Sequence, residues 1–271
     1  MTTRTGSAAC ARFRELHEAG CFVLPNPWDA GSAKVLVQLG FKAVATTSCG
    51  LAWTLGVRDH AVTLEQKLAH LRGLTRAVSV PVNADFERGF ATEPDAVGAN
   101  VAAAAATGIA GLSIEDATGD PSNPLSELSL AVERIRAARE ALDKNGSGVL
   151  LTGRSEGFLV GRPDLAETIR RLTAYADAGA ECLYAPGLRT LDEITAVVKA
   201  VAPKPVNALV GSDLATVEQL AGIGVRRISV GGGLARAAWT GFLQAAQEIA
   251  ERGTFTGLGM AASFPEINSK F

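Results

Sequence analysis

The feature that most constrains the fold of this chain is a short apolar segment that recurs eight times along the sequence. Each copy has the length and composition of a buried strand, and the copies lie far enough apart for a helix to cross between parallel strands. The eight strand candidates are Cys21–Leu24, Ala43–Thr47, Val80–Asp85, Gly111–Glu115, Val149–Arg154, Cys182–Ala185, Pro205–Leu209 and Arg227–Val230. Eight βα units in a chain of 271 residues predict an α/β fold, a (β/α)8 TIM barrel.

Signals for helix boundaries lie between the strand candidates, as a βα repeat requires. Thr63–Gln66 and Thr190–Glu193 have the Thr-x-x-Gln/Glu pattern of a capping box at a helix start. Pro94 and Pro163 suit first-turn positions, and Gly179 suits a helix end. An open, doubly wound sheet is the alternative architecture. It is the weaker one because no G-x-G-x-x-G motif follows the first strand candidate.

The two ends of the chain differ from the repeating region between them. No shift in composition marks a second domain, so residues 1–271 are expected to form a single barrel domain. Residues 1–20 are predicted to form an additional N-terminal helix. Residues 254–271 are predicted to form a C-terminal extension that leaves the barrel, and its Phe and Met content suggests that it packs on another subunit.

Charge and hydropathy exclude several classes of partner. The net charge of −2 and the pI of about 6.0 leave no basic surface of the kind that binds nucleic acid. No apolar run is long enough for a membrane span, and the N-terminal residues lack the apolar core of a signal peptide. The four cysteines are scattered without a C-x-x-C spacing, which argues against a zinc site or a disulfide framework. We therefore expect a soluble cytoplasmic protein.

Polar residues follow most of the strand candidates, and in a TIM barrel such residues meet at the C-terminal face. Since residues two apart on a strand share a face, Asp85 and Glu87 should point the same way and repel each other. The polar residues at the strand ends are Asn26, Trp28, Asp29, Thr46–Gly50, Arg58, Asp59, Asp85, Glu87, Glu115, Asp116, Arg154–Glu156, Tyr184, Asn207, Ser229 and Gly231–Gly233.

Four of these acids are candidates for one cation site: Asp59, Asp85, Glu87 and Glu115. A divalent cation would offset their repulsion, and oxygen ligands without Cys or His suit Mg²⁺ or Mn²⁺ rather than zinc. Mg²⁺ usually keeps several waters, so most of these carboxylates would contact it through water. The alternative is that the acids are solvated loop charges or partners of Arg58 and Arg88.

Other strand-end residues have both a functional and a structural interpretation. Arg154 could bind a substrate carboxylate through two parallel hydrogen bonds, or pair with Glu115, Glu156 or Asp116. Thr47-Ser48-Cys49 could offer hydroxyl and N–H groups to an anionic oxygen, or form a tight turn of small residues. Gly231–Gly233 is typical of a phosphate loop but equally of a packing turn. His17 and His70 are expected at the surface, and His60, next to Asp59, is a minor catalytic candidate.

With these residues in place, the sequence resembles the isocitrate lyase/phosphoenolpyruvate mutase superfamily over roughly residues 20–235. The segments that carry the resemblance are PNPWDAGSAKVLVQLGFKAV, TTSCGLAWTLGVRD, PVNADFERGF, GLSIEDATGD and LLTGRSEGF. The resemblance implies a TIM barrel and a Mg²⁺-dependent enzyme that acts on 2-oxo or hydroxy acids through a metal-stabilised enolate. It also implies a homodimer or homotetramer in which the last barrel helix swaps between neighbours.

The resemblance also assigns roles to single residues. Asp85 matches the acid that contacts Mg²⁺ directly, and Asp59, Glu87 and Glu115 match the acids that hold its waters. Arg154 matches the arginine that grips the substrate. The candidate substrate contacts are Thr47, Ser48, Cys49, Arg154, Trp28 and Asn207, and the candidate catalytic residues are Arg154, Asp59 and Asn123. Thr47 and Ser48 depart from the Ser-Gly that is frequent in the family at this point.

The loop after the fourth strand departs most from the family pattern. The lyase branch has a Lys-Lys-Cys-Gly-His loop there, whereas this chain reads DATGDPSNPLSEL over residues 116–128. The phosphonate-processing branch uses an Asn in this loop, and Asn123 stands at a comparable distance. A decarboxylation needs no Cys in this loop, so the first hypothesis is a C–C lyase or decarboxylase with an oxaloacetate-like substrate. The alternatives are a phosphonopyruvate/phosphoenolpyruvate mutase or hydrolase and a non-catalytic 2-oxo-acid binder, and the proton donor, Tyr184 or a water, stays open.

Overall fold

The apolar segments form one sheet of eight parallel strands, in a computed structural model that describes residues 3–211 and 213–271. The strands are β1 Phe22–Leu24, β2 Val44–Ala45, β3 Val82–Asp85, β4 Gly111–Glu115, β5 Leu150–Arg154, β6 Cys182–Tyr184, β7 Val206–Leu209 and β8 Arg227–Ser229. Each strand pairs with its neighbour in the chain from β2 to β8, and β8 pairs with β1. At the remaining seam, the Ala45 N–H donates to the Pro25 carbonyl over 2.9 Å. The predicted TIM barrel is confirmed, with β2 cut short because the chain turns into a helix at Ser48.

Helices surround the barrel and alternate with its strands. They are α1 Thr3–Glu18, α2 Ala30–Gln38, α3 Ser48–Thr54, α4 Leu64–Ala77, α5 Pro94–Ala105, α6 Leu128–Lys144, α7 Leu165–Asp177, α8 Leu191–Val201, α9 Val217–Gly222, α10 Gly233–Arg252 and α11 Phe264–Asn268. Both predicted capping boxes form, at Thr63 and Thr190. Pro94 opens α5 as predicted, but the prediction for Pro163 is wrong because Asp164 caps α7 and Pro163 precedes the cap.

The interior of the barrel is more polar than is usual for this fold. TIM barrel interiors are dominated by Val, Ile and Leu, and here the apolar core lies mainly between the sheet and the surrounding helices. Buried polar side chains on the strands include Asn83, Ser113, Thr152, Asn207 and Arg227. The barrel therefore holds polar side chains below its C-terminal face as well as at that face.

His17 on α1 is part of this polar network, so the expectation that it lies at the surface is wrong. It sits one turn after the buried Phe13, on the inner face of the helix. Its Nδ1–H donates to the Phe13 carbonyl over 2.7 Å, and its Nε2 accepts from Arg227 Nη1 over 3.3 Å. His70 is also packed inside, with Nε2 against the Trp28 carbonyl at 3.0 Å.

The C-terminal region leaves the barrel as predicted and exposes many apolar side chains. After α10 come a 3₁₀ helix, Thr256–Met260, and α11. The tail returns to α2, where Gln38 Nε2 donates to the Lys270 carbonyl over 2.6 Å. Phe242, Met260 and Phe264 are 59%, 89% and 81% exposed, which suits a surface that a second subunit covers. The swapped assembly itself stays a prediction. Within the described ranges, no helix is both long and apolar enough to cross a membrane.

The burial of His17 predicts that the protein loses stability as the pH falls. Burial and the neighbouring Arg227 lower the pKa of His17 to about 3, so unfolding at pH 5 adds a proton that the folded state excludes. Full stability is present above the unfolded pKa of about 6.5, and this one group removes about 2 kcal/mol of it by pH 5. We expect urea denaturation between pH 7.5 and 5 to show a steeper loss in the wild type than in His17→Gln. Equal slopes would contradict the burial of a neutral His17.

Candidate active site

A cavity opens at the C-terminal face of the barrel and runs inward between the strands. We call it the central cavity; its volume is about 170 Å³. Its polar lining comes from the ends and inner faces of the strands: Asn26, Thr46, Thr47, Ser48, Cys49, Asp59, Asn83, Asp85, Ser113, Arg154, Tyr184, Asn207, Arg227 and Ser229. This volume lies well below the roughly 300 Å³ at which drug-sized ligand pockets begin. The cavity therefore suits a small ligand.

Arg154, the last residue of β5, joins the carboxylates at the mouth of this cavity. Its Nη1 lies 3.3 Å from Asp85 Oδ1 and 3.3 Å from Glu115 Oε2, and its Nε pairs with Glu156. The guanidinium also stacks over the ring of Tyr184, 5.1 Å from the ring centroid. Three carboxylates thus share one buried cation. These pairs use Nη1 and Nε, so Nη2 is left for a further oxygen.

Asp85 is held in an environment that keeps it ionised. Ser48 N–H donates to its Oδ2 over 3.0 Å, and its own N–H donates to Thr46 Oγ1 over 2.9 Å. Burial would raise the pKa of Asp85, but the charges of Arg154 and Lys67 and the Ser48 N–H outweigh it and lower the pKa below its usual range. The segment after β2 therefore supports the acid at the end of β3.

In contrast to Asp85, Glu115 and Glu156 have raised pKa values. Burial is the largest influence on Glu115, and together with the nearby Glu156 and Asp85 it outweighs Arg154 and raises the pKa to about 8. Burial likewise raises the pKa of Glu156. Arg154 and the nearby His60 do not neutralise the cluster, so a proton remains on Glu115 at neutral pH when no metal ion is bound.

Glu87 and His60 form a second contact beside this cluster. His60 Nδ1 lies 3.2 Å from Glu87 Oε2, and its Nε2 lies 3.9 Å from Asp59 Oδ2. The hydrogen bond to Glu87, with the charges of Asp59 and Glu115, raises the pKa of His60 to about 9 against its desolvation. Both backbones are left-handed, with φ of +64° at His60 and +49° at Glu87. Such strain in non-glycine residues is typical of functional sites.

The acids fit a hydrated cation better than a directly ligated one. Within residues 3–211 and 213–271, no three His, Cys, Asp or Glu side chains lie close enough together to hold an ion by themselves. Glu87 Oε1 is buried without a hydrogen-bond partner in the chain, and Asp59 lines the cavity. One or two carboxylates plus waters is the usual coordination of Mg²⁺. The donor set is all oxygen, which suits a hard divalent cation, and the binding of Mg²⁺ or Mn²⁺ by these acids stays a prediction.

Of the remaining predicted site residues, four line the central cavity and two, Trp28 and Asn123, lie outside it. Thr47, Ser48, Cys49 and Asn207 line the central cavity as expected of substrate contacts. Trp28 lies behind it, with its carbonyl against His70 and its Cβ under Gly50. Asn123 lines a different, outer cavity of about 550 Å³ together with Ser155 and Arg162. The roles of all these residues stay predictions.

Three residues near the strand ends, Arg88, Gly231 and Asp116, make hydrogen bonds that give them structural roles. Arg88 donates to the Thr118 carbonyl over 3.0 Å, and this bond ties it to the loop after β4. The N–H groups of Val230 and Gly231 both donate to Asn26 Oδ1, over 3.0 and 2.9 Å, so Gly231 does not offer its N–H to a phosphate. Asp116 is a structural acid that accepts from Tyr175 and Arg171 over 2.7 and 3.2 Å.

Two buried cations near the site were missed in the sequence. Lys67 lies on the buried face of α4 with Leu71 and Leu74, and its Nζ has no hydrogen-bond partner in the described chain. The i, i+4, i+7 spacing of these three residues is the signal that could have placed Lys67 inside. Arg227 shares the inner face of β8 with Ser229, as the two-residue period of a strand predicts.

Comparison with known proteins identifies a matching family and solved structures with the same architecture. Residues 13–250 match the family model described as phosphoenolpyruvate phosphomutase. The crystal structure of a provisionally assigned lyase/mutase from Burkholderia cenocepacia J2315 superposes with a TM-score of 0.94 at 45% sequence identity. The superposition covers 98% of this chain and 96% of that chain.

Sequence relatives extend the same pattern. An uncharacterised protein of Mycobacterium tuberculosis (strain ATCC 25618 / H37Rv) is 33% identical over 81% of both chains. An oxaloacetate decarboxylase of Bradyrhizobium diazoefficiens is 30% identical over 70% of this chain and 69% of that protein. A 2-methylisocitrate lyase of Escherichia coli (strain K12) is 30% identical over 60% and 56% of the two chains.

Arg154 is expected to contribute strongly to stability because it is the cation that the three buried carboxylates share. Arg154→Gln should lower the free energy of unfolding by about 3–5 kcal/mol near pH 8, and by less near pH 5, where Glu115 is protonated and carries no charge for Arg154 to balance. The matched control is Arg170→Gln, which removes an exposed pair with Glu167 and should lower stability far less. Urea denaturation measures both. Equal losses in the two variants would show that the acids do not depend on Arg154.

Proposed function

From the premise that this chain belongs to the phosphoenolpyruvate phosphomutase family, within the isocitrate lyase/phosphoenolpyruvate mutase superfamily, we propose a divalent-metal-dependent carbon–carbon lyase. Its substrate is a small 2-oxo or hydroxy dicarboxylate, with oxaloacetate as the simplest. The observation that carries the proposal is the cluster of Asp85 and Glu115 around Arg154 at the mouth of a small cavity. The oxaloacetate decarboxylases among the relatives supply the reaction type.

The carboxylates Asp85, Asp59, Glu87 and Glu115 would hold Mg²⁺ or Mn²⁺, mostly through water. When bound, the cation supplies a Lewis acid that polarises the 2-oxo group and stabilises the negative charge that develops there. Arg154 Nη2 is available to hold a substrate carboxylate, and the contact of the guanidinium with the Tyr184 ring helps to hold it in place. Thr47, Ser48 and Cys49 line the same cavity.

Decarboxylation places few demands on the loop after β4. When the bond between the carboxylate and the methylene carbon breaks, CO₂ leaves and its electron pair stays on the substrate as an enolate. One proton, from water or Tyr184, then completes the pyruvate product. Burial raises the pKa of Tyr184 to about 12, so its hydroxyl keeps its proton at neutral pH. Residues 116–128 contain no Cys, His or Lys to supply a proton, and this reaction does not need one there.

Phosphonopyruvate chemistry is the second candidate, and the matching family model favours it. Its specific support in the sequence is Asn123, which lies on the outer cavity in this structure. Phosphorus NMR of the protein with phosphonopyruvate and Mg²⁺ tests it directly. A product signal that disappears in Asn123→Ala would favour this candidate over decarboxylation. Tight binding of 2-oxo acids without any product would instead indicate a non-catalytic binder.

The decarboxylase proposal predicts pyruvate from oxaloacetate above the background of the metal alone. Proton NMR with Mg²⁺ measures it, and Asp85→Ala should lower the enzymatic rate at least about 100-fold because it removes the acid assigned to the metal. Glu218→Ala, which changes an exposed acid on α9, should leave the rate unchanged. A rate that survives in Asp85→Ala would contradict the assigned site, and no turnover of any 2-oxo acid would overturn the proposal.

The raised pKa of Glu115 predicts that metal binding releases a proton. Below pH 8 the metal-free protein holds a proton on Glu115, and a cation must displace it. The apparent affinity for Mg²⁺ should therefore rise up to about tenfold per pH unit between pH 6 and 8 and level off above. Calorimetry at pH 7 in two buffers of different ionisation enthalpy measures the released proton. Glu115→Gln should abolish it, and an unchanged release would assign the proton to another group.

A further inference from the structure

Arg227 is a buried cation without an acidic partner. It lies on β8 at 2% exposure, and three neutral groups accept hydrogen bonds from it. Nε donates to Asn207 Oδ1 over 2.8 Å, Nη2 to Thr152 Oγ1 over 3.2 Å, and Nη1 to His17 Nε2 over 3.3 Å. His17 stays neutral here, because burial and Arg227 hold its pKa far below neutral. Across the described chain, no carboxylate lies within ion-pair distance of this guanidinium.

An unpaired buried charge is costly, so its presence calls for a physical reason. A charge removed from water without an opposite charge destabilises a protein by several kcal/mol. A guanidinium carries five N–H donors, and three of them are accounted for by Asn207, Thr152 and His17. Two donors and the full positive charge remain. The neutral partners hold the group in place but do not neutralise it.

Arg227 and Arg154 line the same cavity. The central cavity begins at Asp85 and Arg154 and reaches Arg227 at its inner end. Asn83, which also lines it, has a buried Oδ1 without a hydrogen-bond partner among the residues that the structure describes. A barrel interior filled only for packing would have apolar side chains at this level. The polar lining indicates that something polar binds between the two arginines.

The distance along the barrel axis between Arg227 and Arg154 suits a short dianion. Thr152, which contacts Arg227, lies two residues before Arg154 on β5, and two residues of a strand span about 7 Å. Both side chains reach into a volume of about 170 Å³. A four-carbon dicarboxylate has one charged group at each end and fills a space of this size. A monocarboxylate of the same length would leave Arg227 unpaired.

We propose that Arg227 forms an inner carboxylate subsite that binds the second carboxylate of a dicarboxylate ligand whose other end lies at Asp85 and Arg154. The inference rests on the proposed function and assigns Arg227 to the second carboxylate of its dicarboxylate substrate. Asn207 and Thr152 are positioning residues that orient the guanidinium. Preference for a dianion over a monoanion of equal length therefore depends on Arg227.

Matched ligands test this subsite. Malate and 2-hydroxybutyrate have four carbons and a 2-hydroxy acid group, and differ in the distal carboxylate. In the presence of Mg²⁺, we expect calorimetry to show malate binding at least about tenfold more tightly than 2-hydroxybutyrate. In Arg227→Met this ratio should fall to within about twofold, and in Arg227→Lys it should be intermediate. Oxalate, which is too short to reach Arg227, should bind equally to all three proteins.

The outcomes separate the subsite from the proposed function. Oxalate binding that is lost in Asp85→Ala upholds the outer site, and an unchanged malate preference in Arg227→Met would then make Arg227 a structural cation and overturn the subsite. No binding of oxalate or malate by the wild type would overturn both proposals. Circular dichroism and oxalate affinity show whether each variant is folded. If Arg227→Met does not fold, Arg227→Gln decides, because it also removes the charge and an unchanged ratio there overturns the subsite.

Discussion

The mouth of this barrel depends on one guanidinium, that of Arg154, placed among carboxylates that would otherwise repel one another. Asp85 and Glu115 end neighbouring parallel strands, so the fold itself brings them together whatever the loops do. Arg154 ends the next strand and pairs with both, and with Glu156. It balances only part of the charge, as the raised pKa of Glu115 shows. The excess negative charge that remains is the physical basis for the cation site that we propose at this face.

The fold and the positions of Asp85 and Arg154 at the cavity mouth could be predicted from the sequence. Apolar strand segments and helix caps are local signals, and the strands of a barrel all end at one face, so Asp85 and Arg154 could be placed without coordinates. Side chains whose position depends on packing could not be placed. His17 was expected outside because its helix reads as amphipathic, yet it packs beneath the barrel with Phe13. Asn123 follows its loop, whose path no local signal determines.

Several features near the site lower stability, and they concentrate where the chemistry is proposed. His60 and Glu87 have left-handed backbones, and Lys67 is buried with no hydrogen-bond partner for its ammonium group in the described part of the chain. Each of these would be removed by selection for stability alone. The charge of Lys67 helps to keep Asp85 ionised, and the strained backbones bring His60 against Glu87. The features that lower stability therefore also influence the charge of Asp85 and the position of Glu87.

The N-terminal helix connects the base of the barrel to its interior. α1 precedes the first strand and is not part of the βα repeat, yet it supplies His17, whose Nε2 accepts from Arg227. Nδ1–H donates to the Phe13 carbonyl. Nε2 of the neutral ring therefore carries a lone pair, not a second N–H, on the side that faces Arg227. A neutral acceptor at this point holds the guanidinium without neutralising it. An acid in place of His17 would satisfy Arg227 completely and leave no charge for a ligand. The helix thus closes the barrel in a way that keeps Arg227 available on its cavity side.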